Sequence, residues 1–86
     1  MKITVEREII MTHIGDEAVL LNIKNGRYFS LNSTGERVWE RLQEHADSEI
    51  VLTIMLDEYD ADREVLWQDI NNIILRLADA ELVNPA

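Results

Sequence analysis

The residue types that most often carry chemistry form none of the usual constellations in this chain. The imidazoles are His13 and His45, and neither stands in a nucleophile motif. Ser30, Ser33 and Ser48 have no base at a suggestive spacing. There is no cysteine, which excludes disulfides, thiol chemistry and zinc–thiolate sites. Gly15, Gly26 and Gly35 fit turns or a helix start, not a phosphate loop. A carboxylate run from Asp57 to Glu64 matches the alternating ligands of a calcium loop at Asp60, Asp62 and Glu64. The match then fails, because Val65 replaces the turn glycine and Asn71 the bidentate glutamate. The run reads instead as an acidic helix cap, with negative charge at the positive end of the dipole. The sequence therefore predicts no catalytic residue, no metal and no cofactor.

Chemistry of another kind lies between Gly15 and Glu44. Two short apolar runs, Ala18–Ile23 and Arg27–Leu31, are joined by Asn25-Gly26, a dipeptide that tolerates positive φ at both central turn positions. The second run passes straight into a helix start, where Ser33 and Glu36 have capping-box spacing. This strand holds no proline and no lysine, so nothing in its sequence shields it from pairing. An open edge beside an apolar helix suits strand addition: main-chain bonds hold an extended peptide and helix side chains select it. Alternation places one of Tyr28 and Phe29 toward the core, and Phe29 and Leu31 are expected inward.

The remaining elements must position that edge. Ile9–Ile14 reads as a strand, Gly15-Asp16-Glu17 as a turn, and Val5 either extends the strand or lies in an arm. Val38, Trp39 and Leu42 give a helix from about Thr34 to Glu44, broken at His45-Ala46. Asp47 or Ser48 caps a second helix with Ile50, Val51, Ile54 and Met55 as its stripe, stopping near Tyr59. Asp60 or Asp62 caps a third, with the stripe Leu66, Ile70, Ile73, Ile74 and Leu77, ended by Asn84-Pro85. Trp67 lies about 100° to one side of that stripe and shares its face with Asn71 and Ile74. It reads either as an edge-of-core residue or as one wall of a groove. The expected fold is α+β, one domain over residues 1–86, with a three-stranded antiparallel sheet followed by three helices. The third helix is expected to cover the sheet. So small a core favours a surface groove over an enclosed cavity.

Charge narrows the partners. Seventeen acidic against eight basic residues give a formal net charge of −9. A phosphate backbone is repelled by that field, and the third helix sets Arg63 and Arg76 against Glu64, Asp69, Asp79 and Glu81. Nucleic acid and anionic membrane are therefore not expected partners, whereas a neutral or basic peptide is. The first residues carry no signal segment and no apolar run has membrane-spanning length, which predicts a cytoplasmic protein.

The pattern LL-x-I-x-N-G-R-Y-F-x-L-N-x-x-G-x-x-x-W from Leu20 to Trp39, with the weaker tail L-x-x-A-E-L-V at Leu77–Val83, resembles the PqqD-like family. The likeness runs over about residues 9 to 83. It implies a winged-helix-like arrangement that binds the leader of a ribosomal precursor peptide as an added strand. Carried onto this chain, the accepting strand is Arg27, Tyr28, Phe29, Ser30 and Leu31. The helix wall, placed by helical spacing, is Trp67, Ile70, Asn71 and Ile74, with Asp69 steering basic side chains. The free-standing form is similar to that of lasso-peptide pathways, which implies a leader peptidase and a cyclase as further partners. Alternatives are a chaperone for the radical enzyme of pyrroloquinoline quinone synthesis, a winged-helix DNA-binding protein, and a self-associating module. The adaptor is expected to be a monomer or weak dimer.

Overall fold

The structure, a computed structural model, describes residues 1–85. The chain runs β1 (Ile3–Val5), β2 (Ile9–Ile14), β3 (Glu17–Asn22), β4 (Tyr28–Leu31), α1 (Ser33–His45), α2 (Ser48–Glu58), α3 (Arg63–Asp79) and β5 (Val83–Pro85). Strands β2, β3 and β4 form an antiparallel sheet in that order, so the expected α+β plan with three strands and three helices is present. A second, two-stranded ribbon pairs β1 with β5, Val5 lying opposite Val83. The sequence left Val5 open and gave no sign of β5.

That ribbon exists because α3 stops at Asp79 instead of running on to Asn84-Pro85. Glu81 takes a left-handed φ of 61°. Its N–H donates to the Ala78 carbonyl at 3.0 Å and the Leu82 N–H to the Leu77 carbonyl at 2.9 Å. This pair of bonds is a Schellman ending, usually built on glycine. It turns Leu82 and Val83 back into the core.

Two local expectations are also corrected. The β3–β4 connection is not a two-residue turn, for only Gly26 has positive φ (75°) and Asn25 does not. Asn22 organises it instead. Its Oδ1 accepts from the N–H groups of Lys24 and Asn25, its carbonyl accepts from Gly26, and its Nδ2 donates to the Glu81 carbonyl. A longer loop results, with a buried asparagine in place of several backbone partners. The cap of α1 is Asn32, not Ser33: its Oδ1 accepts from the Gly35 N–H at 2.9 Å. Glu36 does not close a capping box, because its carboxylate holds His13 Nε2 at 2.8 Å. Asp47 and Asp62 cap the next two helices, each within its expected pair.

The core holds Trp39, Val38 and Leu42 of α1, Val51, Leu52 and Met55 of α2, and Leu66, Ile70, Ile74 and Leu77 of α3, under Ala18, Leu20 and Leu31 of the sheet. Ile50 is exposed and Leu52 takes its place. The helix nearest β3 and β4 is α1, which is joined to β4 through Asn32 alone and folds back on it. The backbone of α3 comes closest to β5, α1 and α2, while its Ile70, Ile74 and Leu77 share one core with Ala18, Leu20 and Leu31 of the sheet. It stands off from β4, and a groove opens between them.

Candidate functional site: the open edge and its groove

β4 ends the three-stranded sheet, and its side away from β3 has no partner strand. The Asn22 N–H donates to the Arg27 carbonyl at 2.8 Å, so these two residues form a hydrogen-bonded pair. Such pairs recur at every second position of an antiparallel ladder. The register Leu20–Phe29 and Ala18–Leu31 therefore repeats that geometry. Tyr28 and Ser30 lie between and direct their N–H and C=O groups outward. Tyr28 is exposed, Phe29 half-buried, Ser30 exposed and Leu31 buried, so Phe29 and Leu31 face inward as expected.

Beyond the edge lies an open groove of about 570 Å³. Phe29, Ser30 and Leu31 form one bank, and Asp69, Asn72, Ile73 and Arg76 of α3 form the other. Thr34 and Gly35, in the first turn of α1, and Glu17 close one end. Gly35 has a local reason to be there: a Cβ at this position would lie 2.9 Å from Leu31 Cδ2, crowding the strand–helix junction. Across the groove, the Arg76 guanidinium lies 5.0 Å from the centre of the Phe29 ring, within cation–π range.

The helix thus presents a different face from the one spacing suggested. Ile70 and Ile74 are in the core, with 0% and 1% exposure, and cannot line the groove. Trp67 is half-buried against the core, Asn71 is half-buried beside it, and neither reaches the groove. Asp69 does line it. Sequence reasoning missed Asn72, Ile73 and Arg76. The error is one of phase: Ile73 and Ile74 are adjacent and equally apolar, and residues one apart on a helix differ by about 100° in direction. The polar companions held the missing signal, since Asp69, Ile73 and Arg76 sit at i, i+4 and i+7 on one stripe. Arg27 lies just before β4, its N–H held by Asn25 Oδ1 at 2.9 Å.

Several charges outside the groove tie the helices together. Glu58 receives Arg41 Nε at 2.9 Å and lies 3.3 Å from Arg37, tying α1 to α2. The Arg41 hydrogen bond holds the Glu58 carboxyl below its usual range, and the same bond raises Arg41. Asp47 is lowered chiefly by the Glu49 N–H that it caps. Among the described residues no three metal-ligating side chains converge.

The outward main chain of a short edge strand, walled by an apolar and charged helix face, defines the architecture of a strand-accepting module. The chain belongs to the PqqD family: the family model "Coenzyme PQQ synthesis protein D (PqqD)" matches residues 17–83. Two solved structures are similar to it. TbiB1, in complex with the TbiA(beta) leader peptide, is 31% identical with a TM-score of 0.83, covering 96% of each chain. A lasso peptide synthetase B1 complexed with the leader peptide is 24% identical with a TM-score of 0.81, covering 99% of this chain and 100% of that one. The second likeness bears on the fold alone. Among curated proteins none matches.

Proposed function

We propose that the protein is a non-catalytic adaptor that takes up the leader of a ribosomal precursor peptide as a fourth strand on β4 and presents it to a processing enzyme. The observation that carries this reading is the outward main chain of Tyr28 and Ser30 above a groove walled by α3. Membership of the PqqD family and the 31% identity to a protein seen with a leader peptide support it. The proposed contact set is Arg27 to Leu31 on the strand, of which Phe29, Ser30 and Leu31 line the groove, and Asp69, Asn72, Ile73 and Arg76 on the helix. We place it in a lasso-peptide pathway, with a leader peptidase and a cyclase downstream, a reading supported by the 31% identity to TbiB1, a protein seen with a leader peptide. The helix arrangement accords with a winged-helix-like fold, but the acidic field makes DNA a poor ligand.

Hydrogen exchange at single amides tests the reading. Synthetic peptides covering the first halves of the short reading frames beside the gene are added to labelled protein. The Tyr28 and Ser30 amides should exchange freely alone and become protected with one of the peptides. Protection already complete in the free protein, or no change with any peptide, sinks the proposal.

A further inference from the structure

We infer that the groove is electrically polar along its length and fixes the direction of the bound strand by charge. This rests on the reading of β4 as a peptide acceptor and adds to it the chemistry of the preferred peptide.

The two banks of the groove run in opposite directions. Arg76, near the end of α3, lies over Phe29, and just beyond α3 Glu81 holds Asn22 and Asn25 at the turn that opens β4. Asp69 is two helical turns earlier, roughly 10 Å along the axis, and so lies toward the Leu31 end. Glu17 adds a second carboxylate there, next to Ala18, the cross-strand partner of Leu31. Among the side chains that line the groove, the carboxylates therefore lie toward the end of β4 and the guanidinium toward its start, with Ile73 and Phe29 between; the Glu81 carboxylate lies outside the lining and is bonded to Asn25.

These charges are uncommitted. Arg37, Arg41 and Arg63 each have a glutamate partner, whereas Arg76, Asp69 and Glu17 have no ion-pair partner among the described residues. Lys2, Arg7, Lys24 and Arg27 are likewise unpaired, but among the described residues Arg76 is the basic side chain that lines the groove. A guanidinium resting on an aromatic ring keeps the edge of its planar fork available for a carboxylate.

An added strand supplies side chains to the groove at alternate residues, about 7 Å apart. Three such positions cover the span from Asp69 to Arg76 once flexible side chains lean inward. Antiparallel pairing, the mode of the existing sheet and the slightly more stable one, brings the amino-terminal part of the peptide to the Leu31 end. The preferred peptide then carries a basic, an apolar and an acidic residue at successive alternate positions, in that order.

Three synthetic peptides test this, each blocked at both ends with threonine at the intervening positions. The first carries lysine, leucine and glutamate in the proposed order. The second exchanges lysine and glutamate, and the third has glutamine at both places. Titration followed through the Tyr28 and Ser30 amide resonances should show the first binding roughly tenfold more tightly than the second, the third falling between. The gap should narrow with added salt. In the double variant Asp69→Lys, Arg76→Glu the preference should invert. Equal affinities, or preference for the exchanged order in the native protein, overturn the polarity and leave the acceptor reading standing. If no peptide moves those resonances, the acceptor reading fails and the polarity with it.

Discussion

The sheet has two edges, and they are unequal. β2, six residues from Ile9 to Ile14, is longer than the four-residue β4. The Ile23 N–H bonds to the Glu8 carbonyl, so alternation sends the main chain of Ile9, Met11 and His13 outward. β2 thus offers more unpaired backbone than β4, three outward residues against two. It contributes no residue to the groove, and Ile10, Met11 and Ile14 are exposed. Main chain is alike at every edge and cannot choose a guest. What separates the two is the wall that α3 raises beside β4, with its own apolar and charged side chains.

The sharpest way to break this comparison is a proline on each edge, at a residue whose N–H points outward. Ser30→Pro removes a donor facing the groove and should weaken leader binding on the order of a hundredfold. Met11→Pro removes the equivalent donor from β2 and should leave binding unchanged. Circular dichroism beside each titration checks that the sheet survives, and equal losses from both variants would erase the distinction between the edges.

A smaller effect is expected from the wall. Ile73→Asp places a charge in the apolar middle of the groove and should act chiefly on leader affinity, costing roughly tenfold, with a smaller loss of unfolding free energy because Ile73 is also half-buried against the core. Trp67→Ala, on the other flank of α3, should do the reverse. Its loss of packing should lower the unfolding free energy by about 1–3 kcal/mol, with affinity kept, as read by denaturant melts and calorimetric titration.

The smallest effect concerns the side of the molecule remote from the groove. Glu58 is lowered by its bond to Arg41, so what the pair adds to stability is complete above the ordinary glutamate value of 4.5 and fades as pH falls through the lower folded-state value. The same bond raises Arg41, which therefore stays charged throughout that acid window. Thermal melts of the native protein and Glu58→Gln should differ slightly near neutrality and converge in acid, while leader binding near neutrality is the same for both.

The fold was legible where pattern and physics agree. Alternation gave the meander and the inward set of Phe29 and Leu31, and aspartates marked the starts of α2 and α3. Three features were hidden for definite reasons. The end of α3 rests on Glu81 in a conformation normally signalled by glycine, so β5 stayed invisible. The loop at Asn25-Gly26 looked like a tight hairpin because Asn22, which governs it, acts through a side chain. The groove wall was placed one residue out of phase, since neighbouring isoleucines at 73 and 74 are indistinguishable until packing assigns one to the core.

Asn22 and Asn25 both bond Glu81 where β4 starts, and Asn32 caps α1 where it ends. Braced at either end, this short ribbon has its shape before any visitor comes. Nearly all the freedom surrendered on docking must then belong to the visitor. Affinity should therefore respond more to stiffening the guest, by a ring closure or a well-placed proline, than to any further tightening of the host.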